Sequence, residues 1–297
     1  MYSPPDEDAL SEVVGFVLLL GVLVLALSVY QLYAVPAEGR ENEITHMNMV
    51  KDRFTDYKIA LDSLWVNNQT GVALSTAFDL GTGQYGGWPL LLAPTASAGD
   101  LSIGTGDVLT IRTGDNPEGW ETRLGTLEYT SENHYWVDQT WTYEMGGVFL
   151  TQDEGTTLRL APLFSVSSRD GTVASVSITP ATVRGSGSVG GTGPARVETR
   201  LRQTAGPSVT EEQVAWVQVS IESSSSGRAL AWERALKEAP GREGIPQEWY
   251  RLTRSGNTAS IFISGPDQED GERKDVLLQV HRAEYYASLH GAAARIA

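Results

Sequence analysis

The chain has 297 residues, a formal net charge of -15 and no cysteine. That length allows one membrane helix plus one large or two small globular units, and the acidic balance argues against nucleic acid as a partner and for an acidic surface in a salty medium. Without cysteine there are no disulfides, thiolate metal sites or cysteine nucleophiles, so a domain outside the cell has to rest on its hydrophobic core.

Met1 to Ala9 is short, holds Pro4 and Pro5, and carries Asp6, Glu7 and Asp8. The basic n-region of a secretory signal is missing. No charge occurs between Glu12 and Glu38, and Val13–Val35 is almost wholly Val, Leu, Ala, Phe and Gly. About 20 apolar residues at ~1.5 Å each cross the hydrocarbon core of a bilayer. A soluble core helix would show a polar stripe, and here Ser28, Tyr30 and Gln31 come only near the end. The run ends in no clear cleavage box, so a retained anchor is expected, with Tyr30 and Tyr33 at the interface.

Ala9-Leu10-Ser11-Glu12-Val13-Val14-Gly15-Phe16 before a long apolar run resembles the start of archaeal type IV pilin-like proteins. The resemblance covers about the first 65 residues and lies in Ser11, Glu12, Val13, Val14 and Gly15. It implies peptidase cleavage between Ala9 and Leu10. The family usually has Lys or Arg before the cut, where this chain has Glu7 and Asp8. The later runs Tyr135–Gln139 and Tyr143–Phe149 resemble uncharacterised archaeal surface proteins with the same kind of N-terminus, a likeness that implies no activity. Arg40, Lys51 and Arg53 follow the apolar run, which by the positive-inside tendency would hold the C-terminal side in the cytoplasm. The pilin resemblance implies the reverse, and the C-terminal domain is expected outside.

Beyond Pro36, which is expected to kink the join, Met47, Val50, Phe54, Tyr57, Leu61 and Leu64 recur every three or four residues. This is an amphipathic stalk helix. Its stripe serves either neighbouring subunits or the chain's own β domain. Asn68-Gln69-Thr70 is a candidate N-glycosylation sequon.

From Gly71 short alternating runs, Tyr135–Tyr143 among them, predict strands in a sandwich or open barrel, with Arg184–Pro194 as a flexible loop on composition. One helix is predicted over Arg228–Ala239, started by Ser226 or Gly227 and stopped by Pro240-Gly241, with Ala229, Trp232, Leu236 and Ala239 packed. Asp267–Asp270 reads as a charged hairpin turn. The expected fold class is α+β, mainly β: residues 1–9 a tail or leader, 10–65 the transmembrane and stalk helix, 66–297 the extracellular head.

No pattern of catalytic residues stands out. Two G-x-G-x-x-G matches, Gly81–Gly86 and Gly185–Gly190, lack the following helix that a dinucleotide fingerprint needs. His46, His134, His281 and His290 are scattered and form no H-E-x-x-H. The acidic run Asp267, Glu269, Asp270, Glu272 and Asp275 reads as a solvated turn before a Ca²⁺ site, since its spacing is not that of an EF-hand. Tyr135, Trp136, Trp141 and Tyr143 could form a sugar-binding face or pack in the core; on a straight strand Trp136 and Trp141 point opposite ways, so at least one is expected inside. No enzyme, cofactor or metal is expected. The expected partners are the lipid bilayer and copies of the chain or other pilin-like subunits, with a structural role in a filament or envelope assembly; a monomeric anchored binding or adhesion domain is the alternative.

Overall fold

From Glu7 to Val66 the chain runs as one helical rod: α1 (Glu7–Val29), a π-helical turn over Tyr30–Ala34, and α2 (Val35–Val66). A computed structural model describes residues 7–83, 93–153, 155–202, 209–266 and 275–291. The break expected at Pro36 takes the form of that π turn. Proline has no N–H for the preceding turn and its ring crowds it. The helix widens one turn earlier, and the Val35 N–H donates to the Tyr30 carbonyl, five residues back.

Met47, Val50, Phe54, Tyr57, Leu61 and Leu64 are all buried, packed on the chain's own β head. Of the two readings of this stripe, the structure therefore shows the intramolecular one. At about 2 kcal/mol per large apolar side chain, the six contribute on the order of 10 kcal/mol, comparable to the whole stability of a typical domain.

In chain order the strands are β1 (Ala73–Asp79), β2 (Ala98–Thr113), β3 (Trp120–Glu132), β4 (Thr140–Glu144), β5 (Gly147–Gln152), β6 (Gly155–Leu160), β7 (Phe164–Arg169), β8 (Val173–Ile178), β9 (Ala181–Arg184), β10 (Gly187–Gly191), β11 (Pro194–Leu201), β12 (Val209–Val214), β13 (Val217–Glu222), β14 (Tyr250–Ser255), β15 (Thr258–Ile263), β16 (Val276–His281) and β17 (Ala283–Gly291). They form three sheets: β1-β11-β17-β9, then β14-β15-β13-β2-β3-β4-β5-β6 with β10 added on β2, and β12-β16-β8-β7. The fold is α+β and mainly β, as expected. Two boundaries differ from the sequence reading. The glycine-rich stretch assigned to a loop contains β10, because backbone pairing with β2 needs no side chain. The segment Tyr135–Tyr143 is strand only from Thr140 onward.

The head's own helix, α3 (Ser226–Arg242), carries Pro240 inside it and so ends later than the predicted stop. Ser225 caps it, its hydroxyl accepting from the Arg228 N–H at 3.2 Å. Ala229, Trp232, Leu236 and Ala239 are buried as predicted.

Two cores result. One gathers α2 with Leu101, Ile103, Leu127, Tyr129, Trp141 and Tyr143. The other gathers α3 with Leu109, Ile111, Leu124, Phe149, Val219 and Ile261. β2 serves both through a bulge. Thr105 pairs with Gly125 but Val108 with Arg123, so β2 holds one extra residue. The extra residue reverses which face odd-numbered side chains take. Leu101 and Ile103 therefore face α2, and Leu109 and Ile111 face α3.

β8 and β16 run parallel in one sheet, and β9 and β17 run parallel in another. The chain passes from β8 to β9 at Thr179-Pro180, and from β16 to β17 at Arg282. Two adjacent tracks thus turn the same corner between sheets.

Candidate functional site: the apolar rod and its seat on the head

From Glu12 to Tyr33 every residue of the rod is exposed. Phe16 and Leu25 are 65% and 66% exposed, and none of the most apolar window of the helix is buried. Among the described residues this is the one helix long and apolar enough to cross a membrane. Ala9, Leu10 and Ser11 lie within α1, two to four residues past its first described residue, Glu7. Glu12, Val13, Val14 and Gly15 follow on the open rod, and a Cβ at Gly15 or Gly21 would meet nothing within 4 Å. Tyr30 and Tyr33 mark the π turn and are exposed.

The rod meets the head at a clasp. Glu43 is buried on the stripe side of α2, and its carboxylate accepts from two successive backbone N–H groups, His134 at 2.7 Å and Tyr135 at 2.8 Å. The loop is tied to itself: the Asn133 N–H donates to Asp138 Oδ1 at 2.7 Å, and the Asn133 amide to the Val137 carbonyl at 2.9 Å. A Cβ at Gly39 would overlap the Tyr135 ring, so glycine is what lets that ring lie on the helix. The Arg40 guanidinium sits 4.5 Å from the centre of the Trp136 ring. One turn on, His46 Nε2 donates to the Asp79 carbonyl at 2.8 Å. Burial lowers the pKa of this ring, against the opposing pull of the Asp79 carbonyl.

The four aromatic residues noted in the sequence therefore divide. Trp141 stacks on Phe54 with centroids 6.4 Å apart, and Tyr143 meets Tyr57 edge-on at 5.3 Å, both in the core. Tyr135 and Trp136 belong to the clasp. They form no common face.

A second polar cluster lies beneath α3. The bulge in β2 turns the Asp107 backbone N–H toward Glu144 Oε1 at 2.6 Å. Its carboxylate accepts from Arg228 Nε at 3.0 Å, Trp232 Nε1 at 2.8 Å and Ser223 Oγ at 2.9 Å. Arg228 Nη2 also pairs with Glu144, and its guanidinium lies 5.2 Å from the Phe149 ring centre. A Cβ at Gly106 would overlap Glu144 and the Leu124 carbonyl, so the bulge needs glycine there. Burial, helped by Asp107, pushes the Glu144 pKa up to about 7 against the pull of Arg228. Burial also opposes the Arg228 charge, but the two carboxylates outweigh it and raise its pKa. One guanidinium faces two carboxylates, so the cluster carries a surplus acid. It braces β2, β4 and α3 against one another through charge-assisted hydrogen bonds, with the Ser223 hydroxyl held on Asp107.

Sequence reasoning missed both clusters. Glu43 and His46 extend the apolar stripe of α2 by one turn, and a charge on a packed stripe is the available signal. Arg228 shares the face of Trp232 at four residues' spacing on the first turn of α3. Asp107 carried no signal, because the bulge depends on pairing across β3.

Gly81 to Gly83 lies in a loop, and positions 84–86 of that match fall outside the described residues; Gly187–Gly190 is strand β10 with no helix after it. The four histidines stay apart: His281 rests against the Trp65 ring at 5.6 Å, and His290 Nε2 lies 3.2 Å from Ser288 Oγ. Among the described residues no group of three His, Asp or Glu is placed to hold a metal. Asp267, Glu269, Asp270 and Glu272, with the hairpin turn read there, lie outside the described residues, while Asp275 is buried. Asn68 is exposed just past α2, with φ +51°, its N–H donating to the Trp65 carbonyl at 3.1 Å.

Fold and rod together define a mainly β head mounted on a helix of membrane-spanning length. The head matches the model of a family of unknown function, DUF7289, over residues 95–283, and the chain belongs to that family. The matched region holds both the clasp loop and the Asp107–Glu144–Arg228 brace, and excludes the rod. No curated protein and no solved structure matches the chain.

Proposed function

We propose that this is a membrane-anchored, pilin-like cell-surface protein whose head stands outside the cell and whose role is structural, in a filament or envelope assembly. The observation that carries the reading is the division of one rod into two halves. The first half is apolar and wholly uncovered. The second half is built into the core of the head. Such a chain holds its head at a fixed height and orientation above whatever embeds the rod. The resemblance of Ser11, Glu12, Val13, Val14 and Gly15 to archaeal type IV pilin-like proteins supports the same reading, with cleavage between Ala9 and Leu10 and an uncovered rod available to other subunits. Gly15 and Gly21 leave room for a close neighbour.

Mass spectrometry of the protein from its native membrane tests this. A mature chain beginning at Leu10 and a glycan on Asn68 are the expected results. An intact Met1 supports instead the plain anchored binding domain. Replacing Gly15 and Gly21 with Ile is expected to break up particles seen by electron microscopy; unchanged particles sink the filament reading.

A further inference from the structure

The corner where β8–β9 and β16–β17 turn together holds a groove of about 420 Å³, lined by Trp120, Thr122, Thr182, Arg184, Arg202 and Arg282, with Glu284 in its wall. Three arginines and one glutamate line it, on a chain whose net charge is -15. Glu284 does not consume them. Arg184 Nε and Arg202 Nη1, the latter at 3.2 Å, each give it one donor. A guanidinium has five N–H donors in a rigid fork, so each keeps further donors. Arg282 has no ion-pair partner among the described residues. Glu284 thus fixes two arginines and leaves the third to other anions.

Two exposed aromatic rings flank this charge. Trp120 is 43% exposed, and Tyr286 is 52% exposed with the Arg202 guanidinium 5.7 Å from its centre. Each ring offers an apolar face beside the arginines. Thr122 and Thr182 add hydroxyls to the lining.

We infer that this groove binds an acidic saccharide. A pyranose lays its C–H face on the Trp120 ring, its hydroxyls meet the threonines, and its carboxylate or sulfate takes the free arginine donors in the planar geometry that guanidinium favours. An acidic peptide would use the arginines but leave the aromatic wall and the hydroxyls idle.

The groove's position separates this anion from the headgroups of the anchoring membrane. His281 lines the groove and touches Trp65. Trp65 lies thirty residues past Val35, roughly 45 Å along the helix at 1.5 Å per residue. That is several Debye lengths, about 8 Å each at physiological salt. This distance rests on the anchored reading; the chemistry of the groove does not.

Isothermal titration of the full chain in neutral detergent tests the inference, with trigalacturonic acid as probe and maltotriose, tetraglutamate and sodium sulfate as controls. Trigalacturonic acid is expected to bind at least tenfold more tightly than each control. Arg282→Glu, at a side chain with no ion-pair partner among the described residues, and Trp120→Ala, at an exposed ring, are each expected to weaken it at least tenfold. Absence of trigalacturonate binding, or unchanged affinity in either variant, overturns the site. Equal binding of tetraglutamate identifies an acidic-peptide surface, and equal binding of sulfate an adventitious ion only; both overturn the saccharide. None of these outcomes depends on where the native N-terminus lies.

Discussion

Glu144 is the residue whose chemistry most constrains the head. It is fully buried, with a pKa pushed up from 4.5 to about 7. A carboxylic acid with a raised folded pKa holds its proton more tightly folded than unfolded. Its stabilising effect is present in full below 4.5 and is lost as pH rises through 7. The span is on the order of 3 kcal/mol. His46 works in the opposite sense: burial lowers its pKa, so it favours the fold at high pH and disfavours it as pH falls below 6.5. The two are separable by substitution. Glu144→Gln is expected to remove the gain in melting temperature between about pH 8 and pH 5 and to leave the His46 trend alone, as read by circular dichroism at several pH values. A melting curve with the same pH slope in the variant rejects this assignment. Arg228→Met, which strands two carboxylates, is expected to cost about 3–5 kcal/mol at neutral pH and above, and less in mild acid.

At the scale of elements the critical joint is between α2 and the Asn133–Asp138 loop. Two charge-assisted bonds from one buried carboxylate hold it, and Gly39 gives it room. Glu43→Ala is expected to cost about 2–3 kcal/mol, since it removes two charge-assisted hydrogen bonds from part-buried N–H groups. Hydrogen exchange at the His134 and Tyr135 amides should rise with it, while Trp141 and Tyr143 stay protected; unchanged exchange at the two amides rules the clasp out. Gly39→Val should produce the same pattern by pushing Tyr135 away. How far such elements were legible in the sequence follows from how local they are. The apolar run, the stripe from Met47 to Leu64 and strands such as β1 and β13 announce themselves by periodicity alone. The clasp and the brace do not, because Glu43 meets residues 91 and 92 positions away and Asp107 meets one 121 positions away. The bulge that aims Asp107 exists only against β3. The parallel tracks through Thr179-Pro180 and Arg282, and so the arginine groove between them, likewise arise from topology and not from spacing.

For the whole molecule the central fact is that the rod and the head are not separate parts. α2 lies in the same core cluster as β2, β3, β4 and β11, and Tyr57 Oη lies 3.1 Å from Thr199 Oγ1 across that core. The Tyr285 hydroxyl donates to the Leu61 carbonyl at 2.8 Å. A chain cut at the π turn should therefore behave very differently from one cut at the end of α2. Removing residues 1–34 deletes the uncovered apolar half of the rod. The remainder is expected to be soluble without detergent, to melt within a few degrees of the full chain, and to lose association with lipid vesicles. Removing residues 1–66 also deletes six large apolar side chains worth on the order of 10 kcal/mol, and that product is expected not to fold. Sedimentation with vesicles and thermal melting of the two truncations decide it. If the longer truncation folds and melts like the shorter, α2 is a tether laid on a self-sufficient head. If the shorter one still pellets with vesicles, the lipid-binding surface lies on the head and not on the rod.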